Sequence, residues 1–281
     1  MSLTDKQILE RLGMITGSDA GAIEGTSFYT SAYQCWATKT KRVVDKFLGN
    51  NKTELGEWLE GFAVKKYEQF SGRKCRKVVR TIRHKKYDFI GGHIDRLVEG
   101  DPHRGVECKA VTADGMGKWL DEDDNLMVPD YYVSQVKHYA LVTGRMTWDF
   151  AVVFTDGRRD PFFTTFEFTR DDLDLYLARC LEFWRLVQNN TPPDVDSSDA
   201  TSTALKYEWR ESDPGQVKVA DEYVIKFISE REANKTMKEV YESHVKLMEN
   251  RVRNFLREAD TIVAPTGEVL CTYKQTKKGD R

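Results

Sequence analysis

The chain has 281 residues, 43 Lys and Arg against 45 Asp and Glu, and five scattered cysteines (Cys35, Cys75, Cys108, Cys180 and Cys271). A length of this order can bury a substantial core without covalent staples. The odd, unspaced cysteines argue against a disulfide framework, a zinc ribbon or an iron–sulfur cluster. No apolar run approaches about 18 residues and no apolar signal segment opens the chain, so a cytoplasmic protein, neither membrane-spanning nor secreted, is expected.

In chain order, a short helix is predicted up to about Leu12, broken by Gly13-Met-Ile-Thr-Gly17. A second helix starts near Ser18, with Ser18 or Asp19 as its cap, because their side chains accept from free N–H groups of the first turn. More helix is expected over 31–48. Over 53–69, Leu55, Leu59, Phe62, Ala63 and Tyr67 recur at three- and four-residue spacing, and Gly72 ends the helix. Strands are expected near 75–83, 88–98 and 104–111. A polar loop covers 112–129, and a helix runs over 130–143. Strands at 147–154 and 162–168, split by Asp156-Gly157, precede a helix over 170–189. Composition marks 191–204 as a linker between a domain of residues 1–190 and a C-terminal region of residues 205–281. In that region a helix spans about 218–258. Tyr241, Val245, Met248, Val252, Phe255 and Ala259 alternate four and three apart, a coiled-coil-like seam. A terminal hairpin turns at Pro265-Thr-Gly.

Chemistry concentrates in two predicted strands. Asp95 follows Phe89-Ile-Gly-Gly-His-Ile, and twelve residues later comes Glu107-Cys108-Lys109. Paired strands lie about 5 Å apart, so one divalent cation can bridge the two carboxylates. Glu107 and Lys109, two apart on a strand, share a face. Two acids and a lysine on one face suit metal-assisted phosphodiester hydrolysis, with the acids holding Mg²⁺ and the lysine orienting water. Glu60 lies on the preceding helix, where it can reach a second metal or a water of the site if that helix covers the sheet. Gln135 and Tyr139 share a helix face. Arg11 and Ser18 flank a turn into a helix start, an arrangement suited to an anion such as a terminal phosphate. Net charge is only −2, yet Arg73, Lys74, Arg76, Lys77, Arg80, Arg83, Lys85 and Lys86 occur between 73 and 86 without an acid. That stretch is either a surface for a phosphate backbone or a charged edge strand protected against aggregation.

In this order, Arg11-Leu-Gly-Met-Ile-Thr-Gly-Ser18-Asp19, Gly56-x-x-x-Glu60, Asp95, Glu107-Cys-Lys109 and Ser134-Gln135-Val-Lys-His-Tyr139 resemble the phage lambda exonuclease and YqaJ-type viral recombinase family of the PD-(D/E)xK nuclease superfamily. The resemblance covers about residues 8–190. It implies an α/β, restriction-endonuclease-like core, a mixed central sheet flanked by helices, with a helical, coiled-coil-like C-terminal extension ending in a β-hairpin. The implied activity is a Mg²⁺-dependent 5′→3′ exonuclease that degrades one strand of linear double-stranded DNA and leaves 3′ tails for recombination. On this resemblance Asp95, Glu107 and the Cys108 backbone carbonyl ligate the metal, with two Mg²⁺ ions per site and Mn²⁺ as a substitute. Lys109 positions the attacking water and Glu60 supports the metal–water network. Arg11, Ser18 and Gln135 grip the 5′-phosphate, and Tyr139 packs beside them. The family's partners, a single-strand annealing protein and further copies in a ring, are implied with it. One segment departs: the family has Ser-Pro-Asp-Gly where this chain has His93-Ile94-Asp95-Arg96. Either His93 replaces the serine as a phosphate donor or that contact is lost, and Arg96 is a candidate to touch DNA. A restriction-like endonuclease on the same core and a non-catalytic DNA-end-binding assembly protein are the competing readings.

Overall fold

The structure is a computed structural model, and it describes residues 5–44, 51–211 and 214–273. Its elements in order are α1 (Asp5–Leu12), α2 (Gly17–Glu24), α3 (Ala32–Lys39), α4 (Asn51–Ser71), β1 (Cys75–Lys77), β2 (Ile82–Arg83), β3 (Gly91–Gly92), β4 (Arg96–Val98) and β5 (Arg104–Val111). After a 3₁₀ turn at Ala113–Lys118 come α5 (Asp130–Thr143), β6 (Thr147–Phe154), β7 (Phe162–Glu167), α6 (Arg170–Gln188) and α7 (Asp199–Glu208). Then follow α8 (Glu222–Leu256), β8 (Thr261–Val263) and β9 (Val269–Thr272). The chain divides into two units, residues 1–212 and 213–281.

In the first unit β1, β4, β5, β6 and β7 form one mixed sheet in that order. β5 and β6 run parallel over eight residue pairs, and the other neighbours are antiparallel. β6 carries the apolar run Phe150–Phe154 and is buried on both faces, as a central parallel strand requires. Alternation splits its residues between two cores. Trp148, Phe150 and Val152 join the side covered by α2, α3, α5 and α6, while Ala151 and Val153 join the side covered by α4. On that second side α4 buries Ala63 and Tyr67 against Val98, Val106 and Cys108. The Tyr67 hydroxyl donates to Asp149, which also accepts from Arg104 and Thr165, both at 2.6 Å. A buried carboxylate is tolerated because three donors meet it.

Several predicted boundaries move. The 88–98 strand splits into β3 and β4, and the 75–83 strand into β1 and β2. β2 and β3 leave the main sheet and pair with each other, where the absent side chain of Gly91 lets the Ile82 carbonyl approach within 2.7 Å of the space a Cβ would fill. The helix predicted over 31–48 ends at Lys39, and its last residues fall outside those described. Thr16, rather than Ser18 or Asp19, is the N-cap of α2. Asp19 occupies the third helical position and accepts from the Thr16 N–H at 2.7 Å, because the reciprocal box satisfies two groups at once.

The stretch 191–204 is a linker only in its first half. α7 begins at Asp199, capped by Ser198, and docks on α3: Thr201 donates to Ser31 at 2.7 Å, and Glu208 accepts from Tyr33 at 2.8 Å and pairs with Arg42. Composition reads these hydroxyl-rich residues as flexible, but the hydroxyls find buried partners. In the second unit, α8 and the terminal hairpin fall near their expected positions, with Gly267 at φ 90° in the turn after Pro265. Tyr241, Val245 and Phe255 of the seam are exposed on α8. No helix among the described residues is long and apolar enough to cross a membrane.

Candidate active site

β4 and β5 form the expected antiparallel pair, Arg96 opposite Val106 and Leu97 opposite Gly105. The same register sets Asp95, just before β4, beside Glu107. Asp95 Oδ2 accepts from the Cys108 backbone N–H at 3.0 Å, which fixes the acid against the central strand. Glu107 and Lys109 point to the α5 side, as the strand period requires, and Lys109 Nζ donates to Glu107 Oε1 at 2.6 Å. α5 completes the constellation. Gln135 donates to Glu107 Oε1 at 2.9 Å and to the Tyr139 hydroxyl at 2.8 Å, while its own carbonyl oxygen accepts from Lys109 at 3.1 Å. The Lys109 ammonium also lies 4.2 Å from the centre of the Tyr132 ring, a contact that stabilises a cation.

The electrostatics of this cluster are unbalanced. Glu107 is 1% exposed. Burial, then the neighbouring Asp95 charge, push its carboxyl up to about 8, against the opposing pull of Lys109. Lys109 itself is raised above the ordinary lysine range: burial works against its charge, but Glu107 more than compensates. Glu107 Oε2 is buried without a hydrogen-bond partner. An orphaned carboxylate oxygen beside a second carboxylate is a place for a cation, and two carboxylates with a backbone carbonyl are a donor set that Mg²⁺ takes together with water. Among the described residues no three His, Cys, Asp or Glu side chains converge as a ligand cage. The donors therefore fit a hard, partly hydrated ion rather than one that needs an all-protein cage.

The second part of the site is the turn between α1 and α2. Arg11 donates to Ser18 Oγ at 2.7 Å, and Ser18 lies 2.9 Å from Thr16 Oγ1. Arg11 and Ser18 are thus brought together at the start of α2, with Ser18 exposed. The turn is laced to β3 by Ile15 N–H to the Phe89 carbonyl (2.6 Å) and Gly91 N–H to the Ile15 carbonyl (2.9 Å). Lys39 reinforces it from below, donating to the Arg11 and Met14 carbonyls and to Asp19. Burial opposes the Asp19 charge, but Lys39 holds its carboxyl below the ordinary range.

Tyr139 joins the two parts. Its ring is buried, and it packs so close to α2 that a Cβ on Gly17 would lie 2.5 Å from Cε1 and 2.8 Å from the hydroxyl oxygen. Behind it, His138 is wholly buried between the Tyr176 hydroxyl and the Gly91 carbonyl, each at 2.9 Å.

Four expected residues have contacts that the sequence does not display. Gln135 makes its side-chain hydrogen bonds to Glu107, Lys109 and Tyr139, at the catalytic cluster. Arg96 is buried instead of reaching outward: it pairs with Glu60 of α4 and donates to the Asp95 carbonyl at 2.8 Å. That pairing engages Glu60, since a buried guanidinium needs a carboxylate and α4 supplies one. His93 is exposed, 3.4 Å from Thr81 Oγ1. The sequence motifs include neither Tyr132 nor Lys39. Tyr132 is detectable, being three residues before Gln135 on the same helix face, whereas nothing in the spacing marks Lys39.

A mixed sheet flanked by helices is also the architecture of a solved exonuclease. The crystal structure of an alkaline exonuclease, LHK-Exo, from Laribacter hongkongensis matches with a TM-score of 0.54 at 18% identity, covering 67% of this chain and 94% of that one. The structure of LHK-Exo in complex with dAMP matches with the same score and coverage at 20% identity. At such identities the likeness is one of fold. Residues 9–146 match the YqaJ-like viral recombinase domain. The YqaJ protein of Bacillus subtilis (strain 168) is 28% identical over 262 residues, 91% of this chain and 79% of that protein.

Proposed function

We propose that this protein is a Mg²⁺-dependent 5′→3′ exonuclease that degrades one strand of linear duplex DNA and leaves 3′ single-stranded tails for phage-type recombination. The observation that carries the reading is the convergence of Asp95, Glu107 and Lys109, joined through Gln135 and Tyr139 to the Arg11/Ser18 turn. LHK-Exo, of the same fold, is an alkaline exonuclease and is known in complex with dAMP, which supports a nucleotide-handling site here.

Asp95, Glu107 and the Cys108 carbonyl would hold the divalent ion, with Mn²⁺ able to replace Mg²⁺. When bound, it would supply Lewis-acid polarisation of the scissile phosphodiester. The protein's own groups do the rest. Lys109 is kept protonated by Glu107, so its ammonium can orient the attacking water and offset charge that develops on the phosphate. Gln135 holds Lys109 and Glu107 at fixed separation, and Tyr132 limits the lysine's swing. Arg11 and Ser18, at the positive end of α2, take the terminal 5′-phosphate. Because the tyrosine wall sets the spacing between the two parts, holding the end selects which bond lies over the acids, and polarity follows from positioning. The exposed bases between Arg73 and Lys86 would run along the duplex backbone. The exposed seam of α8 supports assembly, with further copies in a ring or with a single-strand annealing protein.

The test is incubation with Mg²⁺ of linear duplex labelled at each 5′ end, with and without the 5′-phosphate, alongside closed circular DNA. Release of mononucleotides from linear DNA alone, slowed when the phosphate is removed, is expected. Nicking of circles would establish an endonuclease instead, and binding without product a non-enzyme.

A further inference from the structure

Arg96 stands immediately after Asp95, opposite Val106 and therefore on the α4 side of the sheet, where Glu60 faces it. Its side chain is 11% exposed and that of Glu60 is 21% exposed, so the pair is largely withdrawn from water. The guanidinium also donates to the Asp95 backbone carbonyl at 2.8 Å, and it cannot swing away without losing both partners. Asp95 is tied to the Cys108 N–H at 3.0 Å, Glu107 precedes Cys108 on β5, and Arg96, bonded to the Asp95 carbonyl, brings Glu60 to the same place. Three carboxylates in such a space call for more than one positive charge. Lys109 supplies one on the α5 side and Arg96 supplies a fixed one on the α4 side.

We propose that Arg96 takes the place of a second divalent cation beside Glu60, so that the site loads one metal ion per chain. The inference rests on the reading of Asp95 and Glu107 as metal ligands. A guanidinium is always charged and here it is already ion-paired with Glu60, so a dication brought to the same carboxylate meets a like charge in a poorly solvated place and must displace it. A metal held by Asp95 and Glu107 would be unaffected, because Glu107 faces α5 while the Arg96–Glu60 pair lies on the α4 side of the sheet. Glu60 is then a positioning residue: through Arg96 it anchors the Asp95 carbonyl and hence the acid itself.

The experiment is a count of bound Mn²⁺ per chain by electron paramagnetic resonance during titration of the full-length protein. The wild type should bind one ion, Arg96→Gly two, and Arg96→Gly combined with Glu60→Gln one again, since Glu60 is the ligand that the first substitution releases. Near-UV circular dichroism reports whether each variant is folded, and Arg96→Met replaces Arg96→Gly if the glycine variant is not. Two ions in the wild type, or one in a folded Arg96→Gly or Arg96→Met protein, would overturn the assignment of Arg96. No bound ion in the wild type would overturn the metal site itself, a separate and recognisable failure.

Discussion

Gly17→Ala is the most incisive perturbation of the link between the two halves of the site. The added Cβ falls 2.5 Å from Tyr139 Cε1 and 2.8 Å from its Cζ and hydroxyl oxygen, distances that ordinary van der Waals contact cannot hold. The ring has little room to retreat, because it is buried, packs 5.4 Å from the Trp148 ring, and sits 3.3 Å from the Cβ position of Gly92. Overpacking of this kind costs about 1–3 kcal/mol. For a domain of this size each kcal/mol lowers Tm by about 2–4 °C, so a fall of roughly 2–12 °C is expected. Activity should suffer more than stability. Moving the hydroxyl breaks its 2.8 Å bond from Gln135, which then no longer holds Glu107 and Lys109 in register, and a 1 Å misplacement can cost about 10²-fold in rate. Gly61→Ala is the control, since nothing lies within 4 Å of its Cβ and alanine favours a helix by about 1 kcal/mol. Calorimetric Tm and the initial rate of nucleotide release from 5′-phosphorylated duplex are the measurements. A Gly17→Ala protein with the rate and Tm of the wild type would refute the wall between the two parts.

Lys109→Ala should lower the hydrolysis rate by about 10² or more while duplex binding in a gel-shift assay persists, and full activity would remove the lysine from the chemistry. Burial holds His138 down at about 4, below the ordinary 6.5, so its neutral form contributes stability that is present above about pH 6.5 and lost as pH falls toward 4. The gap is worth about 3 kcal/mol at about 1.4 kcal/mol per pH unit, so the urea midpoint should drop between pH 7 and 5 in the wild type and less in His138→Gln; equal drops would contradict the assignment. Tyr67→Phe should cost about 1–2 kcal/mol in urea unfolding by leaving Asp149 one donor short, and an unchanged midpoint would mean that Arg104 and Thr165 suffice.

The helices and strands with strong periodicity are legible in the sequence. The 130–143 helix and the 147–154 strand carry their boundaries on their surface, in Pro129 and in the apolar run Phe150–Phe154. The pairing of Asp95 with Glu107 is legible too, because a hairpin of known register needs only a short polar turn. What the chain does not display locally is anything set by distant partners. Lys39 reaches carbonyls 25 and 28 residues away in sequence. Arg96 reads as a surface cation until α4 brings Glu60 over it. The division of 75–98 into four short strands depends on Ile15 pairing with Ile90, a contact between segments whose local patterns do not mention each other.

Docking of α7 on α3 links residues separated by 166 to 175 positions, Arg42 and Tyr33 with Glu208, and Ser31 with Thr201. During synthesis, then, the N-terminal helices wait for almost the whole first unit before their last partners emerge from the ribosome. Contacts of such sequence separation form late, because loop closure comes first. A nascent chain of 190 residues holds every proposed catalytic side chain yet lacks the strap that seats α3, and α3 carries the lysine beneath the phosphate turn. The end-gripping half of the site is therefore completed after the acid–lysine half, and a partly made chain is poorly equipped to engage a DNA end.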